Sequence, residues 1–66
     1  MDAEDQQRYD NAKAELFATW FEHNKVVELI KQAREKGARL GLLEELEQRR
    51  DTLYEKYIKI ERFLRD

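Results

Sequence analysis

The chain has 66 residues, of which 28 are charged (13 Lys or Arg and 15 Asp or Glu), with two Gly and no Pro, Ser or Cys. A chain this short buries only about 60% of the surface that it exposes when unfolded, which argues against a deep catalytic cavity within one copy. Without cysteine it has neither a disulfide framework nor a thiolate zinc site, so association is the remaining way to stabilise so small a fold. The scarcity of turn-forming residues favours a few long helices over a sheet.

The charges predict the compartment and exclude some partners. The net charge is −2, with both signs interspersed along the chain, which indicates a solvated surface and predicts no nucleic-acid partner. No segment has the roughly 20 apolar residues that span a bilayer, and the first five residues are acidic where a signal peptide is basic. We therefore expect a cytoplasmic protein that does not bind membranes.

The first predicted helical arm covers residues 5–36 and contains two apolar clusters. Residues 16–21 hold Leu16, Phe17, Trp20 and Phe21, and residues 26–33 hold a second cluster that points about 120° away around a helix. Either the chain kinks near residues 22–24, with Asn24 capping a third helix, or one helix continues and some aromatic surface faces another partner. We favour the continuous helix, because nothing in Glu-His-Asn-Lys forces a break.

Residues 37–41 hold both glycines and form the predicted turn. Gly37 can adopt the left-handed conformation that ends a helix without a Cβ penalty. Gly41 can cap the next helix, with Glu44 at its third position, so we expect that helix to begin near Leu42.

The second arm, residues 42–65, has the most regular pattern in the chain. Its seam steps alternately by three and four residues, which is typical of a coiled coil, through Leu43, Leu46, Arg50, Leu53, Tyr57, Ile60 and Leu64. We expect Leu53 to be buried. Arg50 interrupts the seam: either its stem passes the seam and its guanidinium reaches an Asp or Glu, or it is a polar residue that sets the register.

These elements predict an all-α fold, a single helical domain over residues 1–66 in which two arms pack as an antiparallel helical hairpin. One hairpin seam cannot cover all of the large rings, so we expect exposed rings to bind a protein partner or a second copy in a bundle. The predicted partner-binding residues are Phe17, Trp20, Phe21, Tyr54 and Phe63.

Catalytic residues are hard to find. His23 is the only histidine, and its helical neighbours three and four positions away include no carboxylate, so we interpret it as a residue at the edge of the seam or at a kink. A serine nucleophile is excluded, and carboxylate pairs are expected by chance among 15 acids. We predict no catalytic residue, no metal site and no cofactor.

The segment 46–57 reads LEQRRDTLYEKY. It resembles the pattern L-S-Q-E-L-D-x-L-I-x-x-Y of the small sporulation-type aspartyl-phosphate phosphatases, which are helical hairpins that act on phosphorylated response regulators. The matching residues are Leu46, Gln48, Asp51, Leu53 and Tyr57. Glu47, Arg49 and Arg50 depart from the pattern, and Val27 stands where the family usually has arginine. The resemblance implies that Gln48 and Asp51 project from an exposed face toward an aspartyl phosphate.

In length and in the position of the glycine turn, the chain is also similar to the small co-chaperones of type III secretion needle subunits. That similarity implies a short hairpin that completes the fold of another protein. The function that we favour from the sequence is a non-enzymatic interaction module that acts as a regulator, inhibitor or co-chaperone. The alternative is the phosphatase-like regulator.

Overall fold

A computed structural model describes residues 2–65, and in this range the chain forms two helices and no strand. Helix α1 spans Ala3–Glu35 and helix α2 spans Leu40–Arg65. The helices pack against each other as an antiparallel hairpin, which confirms the predicted fold class. The hairpin measures 52 × 14 × 14 Å. A helix of 33 residues is about 50 Å long, so α1 by itself accounts for the long dimension.

Helix α1 is continuous through the region where the sequence allowed a kink. It begins after Asp2, whose carboxylate accepts a hydrogen bond from the Asp5 backbone N–H at 2.9 Å. Glu4 and Asp5 then place negative charge in the first turn, where it favours the helix dipole. The helix runs without interruption past Asn24, so residues 2–65 form two helices, not three. It begins two residues before the predicted arm and ends one residue before the predicted end.

The connection at the closed end of the hairpin follows from Gly37. This residue has φ +69°, the left-handed conformation predicted for it. The Gly37 N–H donates to the Arg34 carbonyl at 3.1 Å, and the Ala38 N–H donates to the Ala33 carbonyl at 2.9 Å. This pair of bonds is the Schellman motif, which satisfies carbonyls that the last helical turn leaves free.

Helix α2 begins earlier than predicted. The Leu43 N–H donates to the Arg39 carbonyl at 3.1 Å, so the first intrahelical bond reaches back before Gly41. Gly41 is therefore inside the helix and does not cap it, which makes the predicted cap wrong. The connection shortens from residues 37–41 to residues 36–39. The Schellman motif redirects the chain so sharply that one residue after Ala38 is enough to enter α2.

The two glycines provide a matched prediction. A Cβ at either position meets nothing within 4 Å, so only backbone conformation distinguishes them. We expect Gly37→Ala to destabilise the hairpin by about 1–2 kcal/mol, because an L-residue is strained at positive φ. Gly41→Ala should stabilise it by up to about 1 kcal/mol, because alanine is favoured in a helix interior. Urea unfolding followed by circular dichroism measures both changes, and a shift of the same sign in the two variants would contradict the helix boundaries.

The α1 seam has a heptad spacing that its large residues do not reveal. The only residues of α1 that are not exposed follow each other by alternate steps of three and four: Tyr9, Ala12, Leu16, Thr19, His23, Val26, Ile30 and Ala33. Small and polar side chains occupy half of these positions. One straight helix can therefore pack along α2 through this series. Phe17 and Phe21, which are outside the series, point away from α2, whereas Trp20 lies at the edge of the seam and contacts α2.

The facing seam of α2 is the predicted one, and all seven of its members are partly buried. Leu53 is among them, so the expectation that it is buried was wrong: its side chain is only partly covered. Among the described residues, the buried apolar core consists of Val26 and Ile30, each 4% exposed, both from α1. A two-helix layer cannot enclose its seam on all sides, which is why so few residues are fully buried.

Ion pairs join the two helices near both ends of the hairpin. Arg34 and Glu47 lie 2.8 Å apart near the closed end, and Lys56 and Glu15 lie 3.0 Å apart toward the open end. All four side chains are substantially exposed, so each pair contributes about 0–1 kcal/mol and serves mainly to favour this register. Neither α1 nor α2, within the described residues, contains an apolar stretch that could cross a bilayer.

Candidate protein-binding site

The five aromatic residues predicted to bind a partner are all exposed. Phe17 is 68% exposed and Phe21 is 62% exposed. Tyr54 and Phe63 are about half exposed, and Trp20 is the most covered of the five at 39%. Five of the seven aromatic side chains of the protein are thus exposed to solvent.

Phe17 and Phe21 lie on the outer side of α1, away from α2. At 100° per residue, both positions point roughly opposite to the Thr19, Val26 and Ile30 seam. Phe17 is one helical turn from both Trp20 and Phe21, so the three rings form one continuous surface. The Lys25 ammonium lies 4.7 Å from the centroid of the Phe21 ring, a cation–π contact at the edge of this surface.

Trp20 connects this surface to α2. Its ring stacks on His23 with centroids 4.8 Å apart and an angle of 6° between the planes. It also packs against Tyr57 at 4.7 Å with a tilt of 39°. His23 in turn lies 6.0 Å from the ring of Tyr54. We call the residues of this continuous surface the aromatic strip: Phe17, Trp20, Phe21, His23, Tyr54 and Tyr57.

Two members of the aromatic strip were not predicted as site residues. Tyr57 was assigned to the seam, and His23 was interpreted as a structural residue at the seam edge. The structure places His23 in the seam between the helices, where its ring also lies against the rings of Trp20 and Tyr54. A residue in the seam can contact side chains of both helices. The spacing of three between Trp20 and His23 was the available signal, but the link to Tyr54 depends on the register between the helices.

Phe63 is separate from the aromatic strip. Lys56 and Tyr54 are two positions apart, so their side chains point about 160° apart around α2. Both nevertheless contact α1: Lys56 pairs with Glu15, and Tyr54 lies against His23. They therefore lie on opposite flanks of the seam. Phe63 is one heptad beyond Lys56 and shares its flank. The predicted set of five residues thus divides into four on the aromatic strip and one on the other flank.

The flank of Phe63 has an apolar groove near the closed end of the hairpin. The groove has a volume of about 350 Å³, and Leu29 and Leu42 are its most exposed apolar residues. Its lining residues are Leu29, Gln32, Ala33, Lys36, Ala38, Leu42 and Leu46. It is open and aliphatic, and no ring of the aromatic strip reaches it.

Gln48 and Asp51, the residues of the phosphatase resemblance, are both exposed. They lie one turn apart on α2; Gln48 is on the outer face of this helix, whereas Asp51 is one turn from Tyr54 of the aromatic strip. Asp51 is engaged within its own helix: its Oδ1 accepts a hydrogen bond from Nε of Arg50 at 3.2 Å and forms a salt bridge with Nη2 of Arg50 at 3.1 Å. This geometry agrees with the first alternative for Arg50, in which the stem passes the seam and the guanidinium reaches a carboxylate.

The aromatic strip can bind another molecule mainly by burying apolar surface. Its side chains include one imidazole and two phenols and no carboxylate or amine. Among residues 2–65, no three His, Asp or Glu side chains are grouped so that they could hold a metal ion. A surface of rings bordered by Lys25 is suited to binding a protein surface.

At the significance threshold of the comparisons, the chain matches no protein-family model, no curated protein and no solved structure. The class that can be assigned is therefore structural: an antiparallel helical hairpin with an exposed aromatic strip. The resemblances to aspartyl-phosphate phosphatases and to secretion co-chaperones stay predictions.

Proposed function

We propose that this protein is a non-enzymatic interaction module that acts as a regulator, inhibitor or co-chaperone by docking its aromatic strip on another protein surface. The observation that supports this proposal best is the exposure of Phe17 and Phe21 on the outer side of α1. Neither ring belongs to the heptad seam, so the hairpin does not need them to fold. Each can bury roughly 150–250 Å² in an interface.

The composition of the strip also supports binding. Tryptophan and tyrosine are enriched among the few residues that dominate interface affinity, and such residues are most effective when neighbouring contacts exclude water from them. Trp20 is held in place by His23 and Tyr57, so little side-chain entropy remains to be lost when a partner covers it. The outer rings of Phe17 and Phe21 are then the part of the surface that a partner would cover most.

Site-specific photo-cross-linking tests the proposal. The photoreactive analogue benzoylphenylalanine replaces Phe21 in one variant and Gln48, on the outer face of α2, in a matched control. After irradiation in cells, we expect discrete cross-linked species from position 21 and few from position 48. Cross-linking that is equal at the two positions, or absent from position 21, would contradict the proposal.

A second candidate function rests on Gln48 and Asp51, which share an exposed face of α2. In this alternative the chain is a phosphatase-like regulator of a response regulator and acts on its aspartyl phosphate. Incubation with phosphorylated response regulators tests it. The alternative requires faster loss of phosphate in the presence of the chain and slower loss with Gln48→Ala. If the rate of loss is unchanged in either comparison, this candidate is excluded.

A further inference from the structure

We infer that the outer part of the aromatic strip, Phe17 and Phe21, binds a second copy of this chain, so that α1 of one hairpin packs antiparallel against α1 of another and the pair forms a four-helix assembly. This inference rests on the proposed function, because it assumes that the strip is a protein-binding surface, and it names the partner. The surface area, the position of the rings along α1 and the charge distribution along α1 support it.

The first observation is the amount of exposed surface. The chain exposes 5587 Å². A compact monomer of its mass, 8.1 kDa, exposes about 4,500 Å² by the usual scaling of surface with mass. The excess, about 1,100 Å², exceeds the roughly 800 Å² that each partner buries in a protein–protein interface of standard size. One interface of standard size with a further hairpin would therefore remove most of this excess.

The second observation is the position of the two outer rings. Helix α1 spans Ala3–Glu35, so its midpoint is residue 19, midway between Phe17 and Phe21. A two-fold axis through this point places Phe17 of each copy against Phe21 of the other, so each ring gains an aromatic partner. The same operation overlaps α1 along its whole length. A surface centred on the middle of its own helix is suited to an isologous contact, because the two helices then overlap along their whole length. A surface near one end would not give this overlap.

The outer side of α1 also has its own heptad spacing. Beginning at Asp10, alternate steps of four and three lead through Ala14, Phe17, Phe21 and Asn24. In the antiparallel register, Ala14 of one copy lies opposite Asn24 of the other. Alanine next to the paired phenylalanines allows close approach of the two helices, and the exposed Asn24 can keep its amide at the wet edge of the contact.

The third observation is the charge along α1. Residues 2–18 contain five carboxylates and two cations, whereas residues 20–36 contain three carboxylates and four cations. An antiparallel pair places the more negative half of each α1 beside the more positive half of the other, although Asp10 of one copy then lies opposite Glu28 of the other. It also opposes the two helix dipoles. A parallel pair would place the two negative halves together. The charge distribution therefore favours the antiparallel arrangement.

Sedimentation of the full chain and of its variants tests whether a dimer forms and which surface it uses. We expect a monomer–dimer equilibrium over about 1–200 µM, the range that suits a contact with a small aromatic centre. Phe21→Glu should weaken dimerisation by roughly thirtyfold or more, the effect expected at a central interface residue. The variant should keep its helix content, because a glutamate introduced at position 21 can form an i,i+4 ion pair with Lys25 in place of the cation–π contact.

Leu42→Glu is the matched control, since it changes an exposed apolar residue on the opposite flank in the same way. It should leave dimerisation unchanged. A wild-type chain that is monomeric at every concentration overturns the inference, and so does a dimer that Leu42→Glu abolishes and Phe21→Glu does not.

Cysteine cross-linking tests the orientation, because the chain has no native cysteine. Ala14→Cys and Asn24→Cys are prepared separately and mixed before a short bifunctional thiol reagent is added. We expect the mixed product, which links position 14 of one copy to position 24 of the other, to form faster than either product between identical variants. Faster reaction of Ala14→Cys with itself would show a parallel pair and overturn the antiparallel arrangement.

The two proposals can fail separately. If the chain is monomeric but benzoylphenylalanine at position 21 cross-links to a different protein, the second copy is excluded and the interaction module stands. If the chain is monomeric and position 21 forms no cross-link, both are wrong. If it is a dimer that Phe21→Glu dissociates and position 21 cross-links to a second copy, both are supported.

Discussion

Ile30→Ala is expected to unfold a large fraction of the molecules. Ile30 is one of the two buried apolar residues of the seam, at 4% exposed. Removing a buried isoleucine side chain costs about 2–5 kcal/mol, because the cavity is only partly closed by its neighbours. A domain of this length has a total stability of roughly 3–10 kcal/mol, so the loss is a large share of it. Urea unfolding monitored by circular dichroism measures the change.

Leu40→Ala is the matched control for this experiment. Leu40 has nearly the same volume as isoleucine and lies in a helix, but it is 77% exposed. Its replacement should change the free energy of unfolding by about 0.5 kcal/mol or less, as for other surface positions. If Ile30→Ala costs under about 1 kcal/mol, or if the two variants are equally destabilised, the assigned seam is wrong.

Trp20→Ala should destabilise the hairpin by about 2–3 kcal/mol, because it removes the stack on His23 and the ring contact between Trp20 and Tyr57. Phe21→Ala should change the stability of the monomer by about 0.5 kcal/mol or less, because this ring lies on the outer side of α1 and alanine is the better helix former. The pair separates the members of the aromatic strip that hold the hairpin together from those that are free to bind.

Chemical denaturation at low protein concentration, near 1 µM, measures this difference without a contribution from association. At high concentration, by contrast, Phe21→Ala should become destabilising relative to the wild type, since it removes a contact between copies. Equal costs for the two variants at low concentration would mean that Trp20 does not bridge the helices.

Which parts of this structure can be predicted from the sequence depends on whether the interaction that fixes each part is local or joins residues that are distant in the chain. The end of α1 was predictable because Gly37 adopts a conformation that other residues avoid, and that preference is local. The start of α2 was not, because Gly41 is acceptable both as a cap and inside a helix. The choice between these positions was made by the Ala38 and Leu43 backbone hydrogen bonds.

The candidate site was predictable in its main members and not in its extent. Phe17, Trp20 and Phe21 were identifiable because one short segment has more rings than one seam can cover. Phe63 was grouped with them because the sequence does not show on which flank of α2 a residue lies relative to α1. Tyr57 was left out for the same reason, since it belongs to the strip through its contact with Trp20 on the opposite helix. His23 was left out although it is three positions from Trp20 on the same helix, and only its contact with Tyr54 depends on the register between the helices.

By itself, then, the sequence determined an all-α hairpin with one turn, because helix propensity, glycine conformation and heptad spacing act within a few residues. Only the tertiary structure decided that α1 is one straight helix whose seam passes through Ala12, Thr19 and His23. Small and polar residues have no hydrophobic signature of their own, and they are buried only because α2 covers them. Phe17 and Phe21 are exposed for the same reason: the seam follows another side of α1, so α2 does not cover these rings and they remain free for a partner.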